Sequence, residues 1–521
     1  MAEPLTITNF GGPLTRRNTG EINSGLAKYA TSWGYDPYSK PGNLTWMEQP
    51  TSILTGASTT DTIIAMKART EGALQRVYAL NAVNTLYKIS VNGAENPSLD
   101  SPSVIGTIGT GAHNRGTGIE FYGATEKIFI GTDSNVQKVN FDGSSASIIG
   151  TLTSDVPRPI ITFLGKLYIG NGNNIAEVDS TETFTSTAKL SPALPSGLFV
   201  RDLDLTPDGN YLQILASRTN AQDPTGANLD PYASFSADSY RFYWNGIDDS
   251  FSAMENYSGI TLSANASFGE SNYMFGYDTN GSALFRGPKK IASLPTLSPV
   301  SFNSTFSHAN ILGFAAPEYD TTTTTVKATI MNYGQYDAEV PSGLFRLLRH
   351  PAQIRTDYVG VPVAINVSNL LYSPSVAAFS DNISGVSKIY YSTQEDDTNG
   401  AATQKLWKFS ITPVGLGSVV AGVYETQNQI FSKKVKLGEV RFYTEPLVAD
   451  NAFTLAVLNS GSSIIAQNTY TVGSNVTAGE DLIRFTPQIA PTQAVGFRIT
   501  NSGSKNWTGL KLEADVDSGG S

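Results

Sequence analysis

The sequence predicts an all-β chain: a β-propeller of six or seven blades followed by a C-terminal β-sandwich. Three observations carry that expectation. A strand phrase recurs as Leu86-Tyr87-Lys88-Ile89, Ile128-Phe129-Ile130-Gly131 and Leu167-Tyr168-Ile169-Gly170, its aromatics stepping by 42 and then 39 residues. A period of about 40 residues made of short strands is the size of a propeller blade. Composition agrees, with 48 Gly, 24 Tyr and 24 Phe in 521 residues and 15% charged side chains, the usage of strands joined by tight turns. Finally, the period changes after about residue 412, beyond which five or more alternating strands crowd into the remaining hundred or so residues.

Residues 1–60 are not periodic. They carry Ile7-Thr8-Asn9-Phe10-Gly11-Gly12-Pro13, then Trp33-Gly34-Tyr35, then Trp46. The expectation here is an extended arm with aromatic anchors, laid across the propeller or onto a neighbouring subunit. A strand that closes the ring of blades fits equally well.

Residues 61–412 form the expected propeller. Two phrases continue into a polar turn and a second strand, Ile128–Gly131 into Val136–Val139 and Leu167–Gly170 into Ile175–Val178. Phe199–Leu205 and Tyr211–Leu215 flank Pro207-Asp208-Gly209-Asn210, a strong hairpin signal. Tyr240–Trp244, Tyr273–Tyr277 with Ala283–Arg286, Val326–Tyr333, and Lys388–Tyr391 with Lys405–Phe409 extend the strand–turn–strand habit. Glu395–Gly400 reads as a solvated loop and Thr321–Thr325 as a threonine-rich edge. A boundary is expected at Pro413–Gly417. Within 413–521, Lys433–Tyr443, Phe453–Leu458, Leu482–Phe485, Val495–Ile499 and Leu510–Glu513 read as sandwich strands.

Several chemistries find no residues to carry them. The absence of cysteine excludes disulfides, thiolate catalysis and thiolate-held metals. His113, His308 and His350 are widely separated, so no metal centre is expected. Asp202, Asp204 and Asp208 superficially suggest a calcium loop, but their spacing departs from the Asp-x-Asp-x-Asp-Gly pattern and a β-turn interrupts them. Gly170-Asn171-Gly172 sits in a hairpin with no helix after it, unlike a dinucleotide loop. No nucleophile elbow, phosphate loop or His-Glu-x-x-His helix occurs.

Two classes rest on residues that only folding brings together. Glycoside hydrolysis needs a carboxylate pair assembled in space, for which Glu120, Glu126, Asp202, Asp204, Asp248 and Asp249 are the entries. Sugar stacking would use Tyr243, Trp244, Tyr390, Tyr391 or Trp407, although strand periodicity already accounts for these as core. No individual residue is assigned as catalytic, cofactor-binding or metal-binding, no cofactor is expected, and the chain is not expected to be an enzyme.

The formal charge is −10, without a basic block to grip phosphates. An acidic lumen would let a duplex slide without sticking. No apolar run is long enough to span a bilayer, and Met1-Ala2-Glu3-Pro4 lacks the regions of a secretion signal, so folding in a cytoplasm is expected.

The opening Ile7-Thr8-Asn9-Phe10-Gly11-Gly12-Pro13-Leu14-Thr15-Arg16 resembles the Asn-Phe-Gly-Gly-(Leu/Ile)-Asn-Thr-Arg start of tailed-bacteriophage β-propeller proteins. The stretch Arg158–Asp179, around Gly165-Lys166-Leu167-Tyr168-Ile169-Gly170-Asn171-Gly172, is similar to a blade of the same group, as is a β-sandwich after a propeller. The resemblance implies a structural virion protein of a podovirus-like tail, a hub or nozzle ring that lines or closes the DNA exit channel. It implies a homo-oligomer, expected as a hexamer, docked to portal or adaptor and tail fibre proteins, with DNA passing during ejection. No functional residue transfers individually. The rival expectations are a carbohydrate- or receptor-binding propeller of the virion and, third, a propeller glycosidase.

Overall fold

The computed structural model describes residues 4–10, 29–33, 42–46, 51–52, 63–71, 74–81, 85–91, 103–107, 118–123, 127–132, 134–141, 145–153, 158–186, 194–217, 238–268, 271–278, 281–293, 304–308, 311–315, 344–349, 354–359, 373–380, 388–396, 402–410, 422–461 and 463–517. Among the described residues there is no helix, and the strands gather into seven four-stranded sheets and one nine-stranded sheet.

The first sheet holds Ile63–Glu71, Leu74–Asn81, Thr85–Val91 and Ser103–Thr107, and the second Gly118–Tyr122, Lys127–Gly131, Asn135–Val139 and Ala146–Thr151. The third holds Ile160–Phe163, Lys166–Asn171, Asn174–Val178 and Phe184–Thr185. The fourth holds Phe199–Leu205, Leu212–Ser217, Ser239–Trp244 and Ala253–Tyr257. Thr261–Phe268, Ser271–Asp278, Gly281–Arg286 and Lys289–Ser293 form the fifth, and Ser304–His308, Ile311–Ala315, Leu344–Arg349 and Ile354–Val359 the sixth. Ser373–Ser380, Lys388–Asp396 and Ala402–Ser410 make the seventh, whose fourth strand is Thr51–Ser52, from ahead of the first sheet in sequence.

Two compact units result. One comprises residues 1–51, 345–365 and 409–521, the other 52–344 and 366–408. In the larger unit the first strand of each sheet neighbours the first strand of the next, and the seventh returns to the first. The succession is therefore cyclic and propeller-like.

The recurring phrase is explained by burial on two faces. Ile128 and Ile130 pack with Tyr78, Leu80 and Leu86 of the first sheet. Phe129, between them, turns to Leu167, Ile169 and Val178 of the third. Tyr168 turns in the same way to Val200, Ile214 and Trp244 of the fourth. A strand covered on both faces must be apolar at every position, which is why Ile-Phe-Ile shows no alternation. Tyr87, however, lies on the third strand of its sheet, whereas Phe129 and Tyr168 lie on second strands. The 42-residue step thus joins unlike strands, and the true second strand of the first sheet carries Tyr78.

Close approach sets the glycines between the second and third sheets. A Cβ on Gly118 would stand 2.2 Å from Ile160 Cγ2 and 2.5 Å from the Arg158 carbonyl oxygen. Gly118→Ala is expected to destabilise by about 1–3 kcal/mol through overpacking, read as a lower urea midpoint.

In the smaller unit Pro4–Ile7 pairs antiparallel with Gly509–Asp517, and Tyr29–Trp33 with Gly422–Thr426. The 16-residue strand Gln429–Thr444 joins the two halves of the nine-stranded sheet. Its first part pairs with Thr492–Asn501, and its second with Gly509–Asp517 and Leu482–Phe485. Both halves turn side chains into one core, where Phe442, Ile483 and Leu512 meet Phe453, Val457, Phe497 and Ile499. Phe10 and Trp46 enter the same core, Phe10 edge-on to Tyr424 at 5.6 Å and Trp46 5.3 Å from Trp507. The N-terminal segment thus supplies strands to the smaller unit and the last strand of the seventh sheet. Glu395 and Asp396 extend a strand. Val326–Tyr333, Thr321–Thr325 and Pro413–Gly417 lie outside the described residues.

Candidate functional site

The innermost strands of the cyclic succession carry the first group of acids. Glu120 on Gly118–Tyr122 accepts a 3.0 Å hydrogen bond from Lys67 Nζ on the first strand of the first sheet, and its other oxygen accepts from the Phe121 amide. Asp202 lies on Phe199–Leu205 and bridges to the fifth sheet, where the Asn265 amide donates to Oδ2 at 2.7 Å. Its Oδ1 accepts from the Leu203 amide at 2.9 Å. Asp204 accepts from the Leu205 amide at 2.8 Å. These acids therefore act as ties within and between inner strands.

Asp202 opens a polar seam between the fourth and fifth sheets. Gln213 Nε2 donates to Asn272 Oδ1 at 2.9 Å, and the hydroxyls of Ser217 and Ser239 donate to the carbonyls of Leu262 and Ile260. Farther out, Arg241 pairs with Glu255, which also accepts from the hydroxyls of Tyr243 and Tyr257. Burial works against the charge on Glu255, but the Tyr257 hydroxyl and Arg241 together hold its pKa below the ordinary value. At Asp202 burial wins. Its pKa is pushed up to about 8 by desolvation, with the Asp204 charge adding to the rise against the two backbone amides.

The folded state keeps the Asp202 proton to higher pH than the unfolded chain does, so this group makes stability fall as pH rises from about 4 to about 8. Asp204→Asn should lower the Asp202 midpoint, so that the fall ends at a lower pH and its total is smaller. Urea unfolding at pH 5, 7 and 9 measures it; an unchanged total fall in the variant would remove the coupling.

Asp208 is placed elsewhere, in the turn that closes Phe199–Leu205 onto Leu212–Ser217. It accepts from Thr206 Oγ1, from the Asn210 amide at 3.2 Å and from Asn210 Nδ2 at 2.7 Å. The Thr206 hydroxyl, first, and the Asn210 donors hold its carboxyl below the usual range. The three aspartates do not converge, and no group of three metal-ligating side chains occurs among the described residues. Beside this turn lies a groove of about 750 Å³ lined by Thr206, Pro207, Asp208, Tyr211, Tyr243, Ser252 and Ala253.

The remaining candidates scatter. Asp248 and Asp249 sit exposed in the turn after Ser239–Trp244, where Asn245 Nδ2 donates to Asp248 Oδ2 at 2.6 Å. Trp244 is core, 1% exposed and edge-on to Tyr168 at 5.1 Å. Tyr390, Tyr391 and Trp407 lie on the second and third strands of the seventh sheet, and His308 ends the first strand of the sixth. Gly170-Asn171-Gly172 forms a hairpin, with Gly172 at φ +68°. Glu126, His113 and His350 lie outside the described residues. Sequence reasoning did not single out Asn265, the Arg241–Glu255 pair or Tyr211. For Tyr211 a signal existed, an aromatic directly after the Pro-Asp-Gly-Asn turn.

No family model matches the chain, and no curated protein matches it. Among solved structures, the extracellular domain of a one-component system from B. thetaiotaomicron is 10% identical, with a TM-score of 0.39 over 94% of this chain and 62% of that one. A gluconolactonase from Xanthomonas campestris is 10% identical, with a TM-score of 0.32 over 73% of this chain and 98% of its own. A family 43 arabinoxylan arabinofuranohydrolase from Bacillus subtilis is 9% identical, with a TM-score of 0.27 over 89% and 99%. Likenesses of this size carry no functional argument.

Proposed function

We propose that this chain is a structural protein of a tailed-bacteriophage virion, consisting of a seven-bladed β-propeller and a β-sandwich built from both ends of the chain. In this reading it forms a ring of the tail that lines or closes the DNA exit channel and docks portal or adaptor and fibre proteins. The observation that carries the reading is the cyclic succession of seven four-stranded sheets whose last strand comes from ahead of the first. Such closure locks the end of the ring to its start and leaves each sheet only short edges, which makes a stiff wall. Inner-strand acids support a wall as well. Glu120 is tied to Lys67, and Asp202 to Asn265, across neighbouring inner strands. The resemblance of Ile7–Arg16 and Arg158–Asp179 to phage propeller proteins supplies the virion and the tail, and the −10 charge suits passage of DNA without adhesion.

Light scattering with negative-stain class averages tests the proposal. Open-centred rings of about six copies are expected, closed by heterologous contacts. Release of reducing sugar from polysaccharide by the purified protein would overturn the structural reading in favour of a hydrolase.

A further inference from the structure

We propose that the groove at the turn end of the fourth sheet is a carbohydrate-binding site that takes a neutral pyranose ring. This inference does not depend on a place in a phage tail. The groove, about 750 Å³, is within the range of small-ligand sites and lies outside the inner-strand ties. Its wall combines two tyrosines, the Pro207 ring and the Ala253 methyl with an exposed carboxylate and the hydroxyl-bearing Thr206 and Ser252.

That mixture matches the two sides of a sugar. A pyranose presents a C–H face, which packs on an aromatic ring, and a rim of hydroxyls, which need charged or polar acceptors. Tyr211 is 37% exposed although it directly precedes a fully buried strand, so its ring is available for the C–H face. Asp208, held ionised by its turn, is an acceptor for the rim. The same carboxylate disfavours an anionic ligand.

Both sides of the groove are fixed in advance. The turn is held by Thr206 N–H to Tyr211 O at 2.9 Å, Gly209 N–H to Thr206 O at 2.8 Å and Tyr211 N–H to Thr206 Oγ1 at 3.0 Å. Opposite, the Tyr243 hydroxyl donates to Glu255 at 3.2 Å while the Arg241 guanidinium sits 5.3 Å from the ring centre. Burial and the Glu255 charge push the Tyr243 pKa up to about 12 against the pull of Arg241, and its one proton stays on the bond to Glu255. A ligand therefore pays little to order its site.

The test is saturation-transfer NMR on the full chain with glucose, galactose, mannose, N-acetylglucosamine and their linear trisaccharides as probes. Transfer to ring C–H protons of at least one probe is expected. Tyr211→Phe should keep it, Tyr211→Ala should weaken affinity about tenfold or more, and Asp208→Asn several-fold, in keeping with the loss of one ring contact or one charged acceptor. Tyr211 stands outside the buried cluster of its sheet, so its variants should remain folded, which a cooperative unfolding transition checks. No transfer to any probe overturns the site. So does transfer that survives Tyr211→Ala, because the sugar is then bound elsewhere.

Discussion

Replacing Arg158 by alanine is expected to cost about 3–5 kcal/mol, because it removes a buried fork that ties two sheets together. Arg158 is 1% exposed. Its Nε donates to the Thr132 carbonyl at 2.9 Å, one terminal nitrogen to the Thr153 carbonyl and the other to Gly170 O at 3.4 Å. Thr132 and Thr153 follow strands of the second sheet, while Gly170 belongs to the third. The side chain thus replaces strand pairing where two sheets meet without a shared ladder. Glycines make the slot: a Cβ on Gly131 would stand 3.1 Å from Arg158 Cβ, and one on Gly170 2.8 Å from Pro159 Cδ. Alanine leaves carbonyls without their donor and a void where a long side chain lay. Arg158→Lys should recover only part of the loss, since a single ammonium does not reproduce a planar fork. Urea unfolding of the larger unit reads the effect. A loss below about 1 kcal/mol would mean that water substitutes for the guanidinium.

Arg158 also marks what the sequence does and does not disclose. It lies inside the stretch Arg158–Asp179, where Leu167–Gly170 and Ile175–Val178 were legible as strands because apolar residues crowd both sides of a short polar turn. The arginine itself has no pattern that separates a latch from a surface charge, since its partners are carbonyls, which every residue has. The polar seam was hidden for a related reason. Asp202 and Asn265 are 63 positions apart, and only the succession of inner strands brings them together. The slip at Tyr87 shows the limit of spacing alone. In the first sheet the second and third strands both carry a tyrosine among apolar residues, Val77-Tyr78-Ala79-Leu80 and Leu86-Tyr87-Lys88-Ile89, so a period measured between phrases does not reveal which strand each phrase occupies.

The seventh sheet and the smaller unit were the hardest to foresee, because each borrows from the far end of the chain. Thr51–Ser52 is too short to show a period, and Pro4–Ile7 alternates over only four residues. What the sequence did offer was aromatic anchors without an address. The structure supplies the address for two of them, Phe10 and Trp46, in the core beneath Phe442, Phe453 and Trp507.

That placement makes the second large prediction. A fragment limited to residues 409–521 is expected not to fold, and Trp46→Ala in the full chain is expected to cost about 3–5 kcal/mol in the smaller unit. Trp46 is 1% exposed and packs 5.3 Å from Trp507, whose ring stands 4.7 Å from Phe453 and 5.8 Å from Phe442. Removing the indole therefore opens a cavity against Trp507, the ring that joins Trp46 to Phe442 and Phe453. The backbone around it is equally committed. Leu44 exchanges two 2.8 Å hydrogen bonds with Gly509, and the Trp46 amide donates to Asn506 Oδ1 at 3.2 Å. Without the N-terminal segment, Gly509–Asp517 loses its partner Pro4–Ile7 and Gly422–Thr426 loses Tyr29–Trp33. Each loss uncovers an edge that invites aggregation. Near-ultraviolet circular dichroism checks both variants, since Trp46 and Trp507 are coupled rings in a fixed setting. A cooperative unfolding transition from the 409–521 fragment alone would show that the N-terminal strands cover a core already complete, and would return them to the role of an arm.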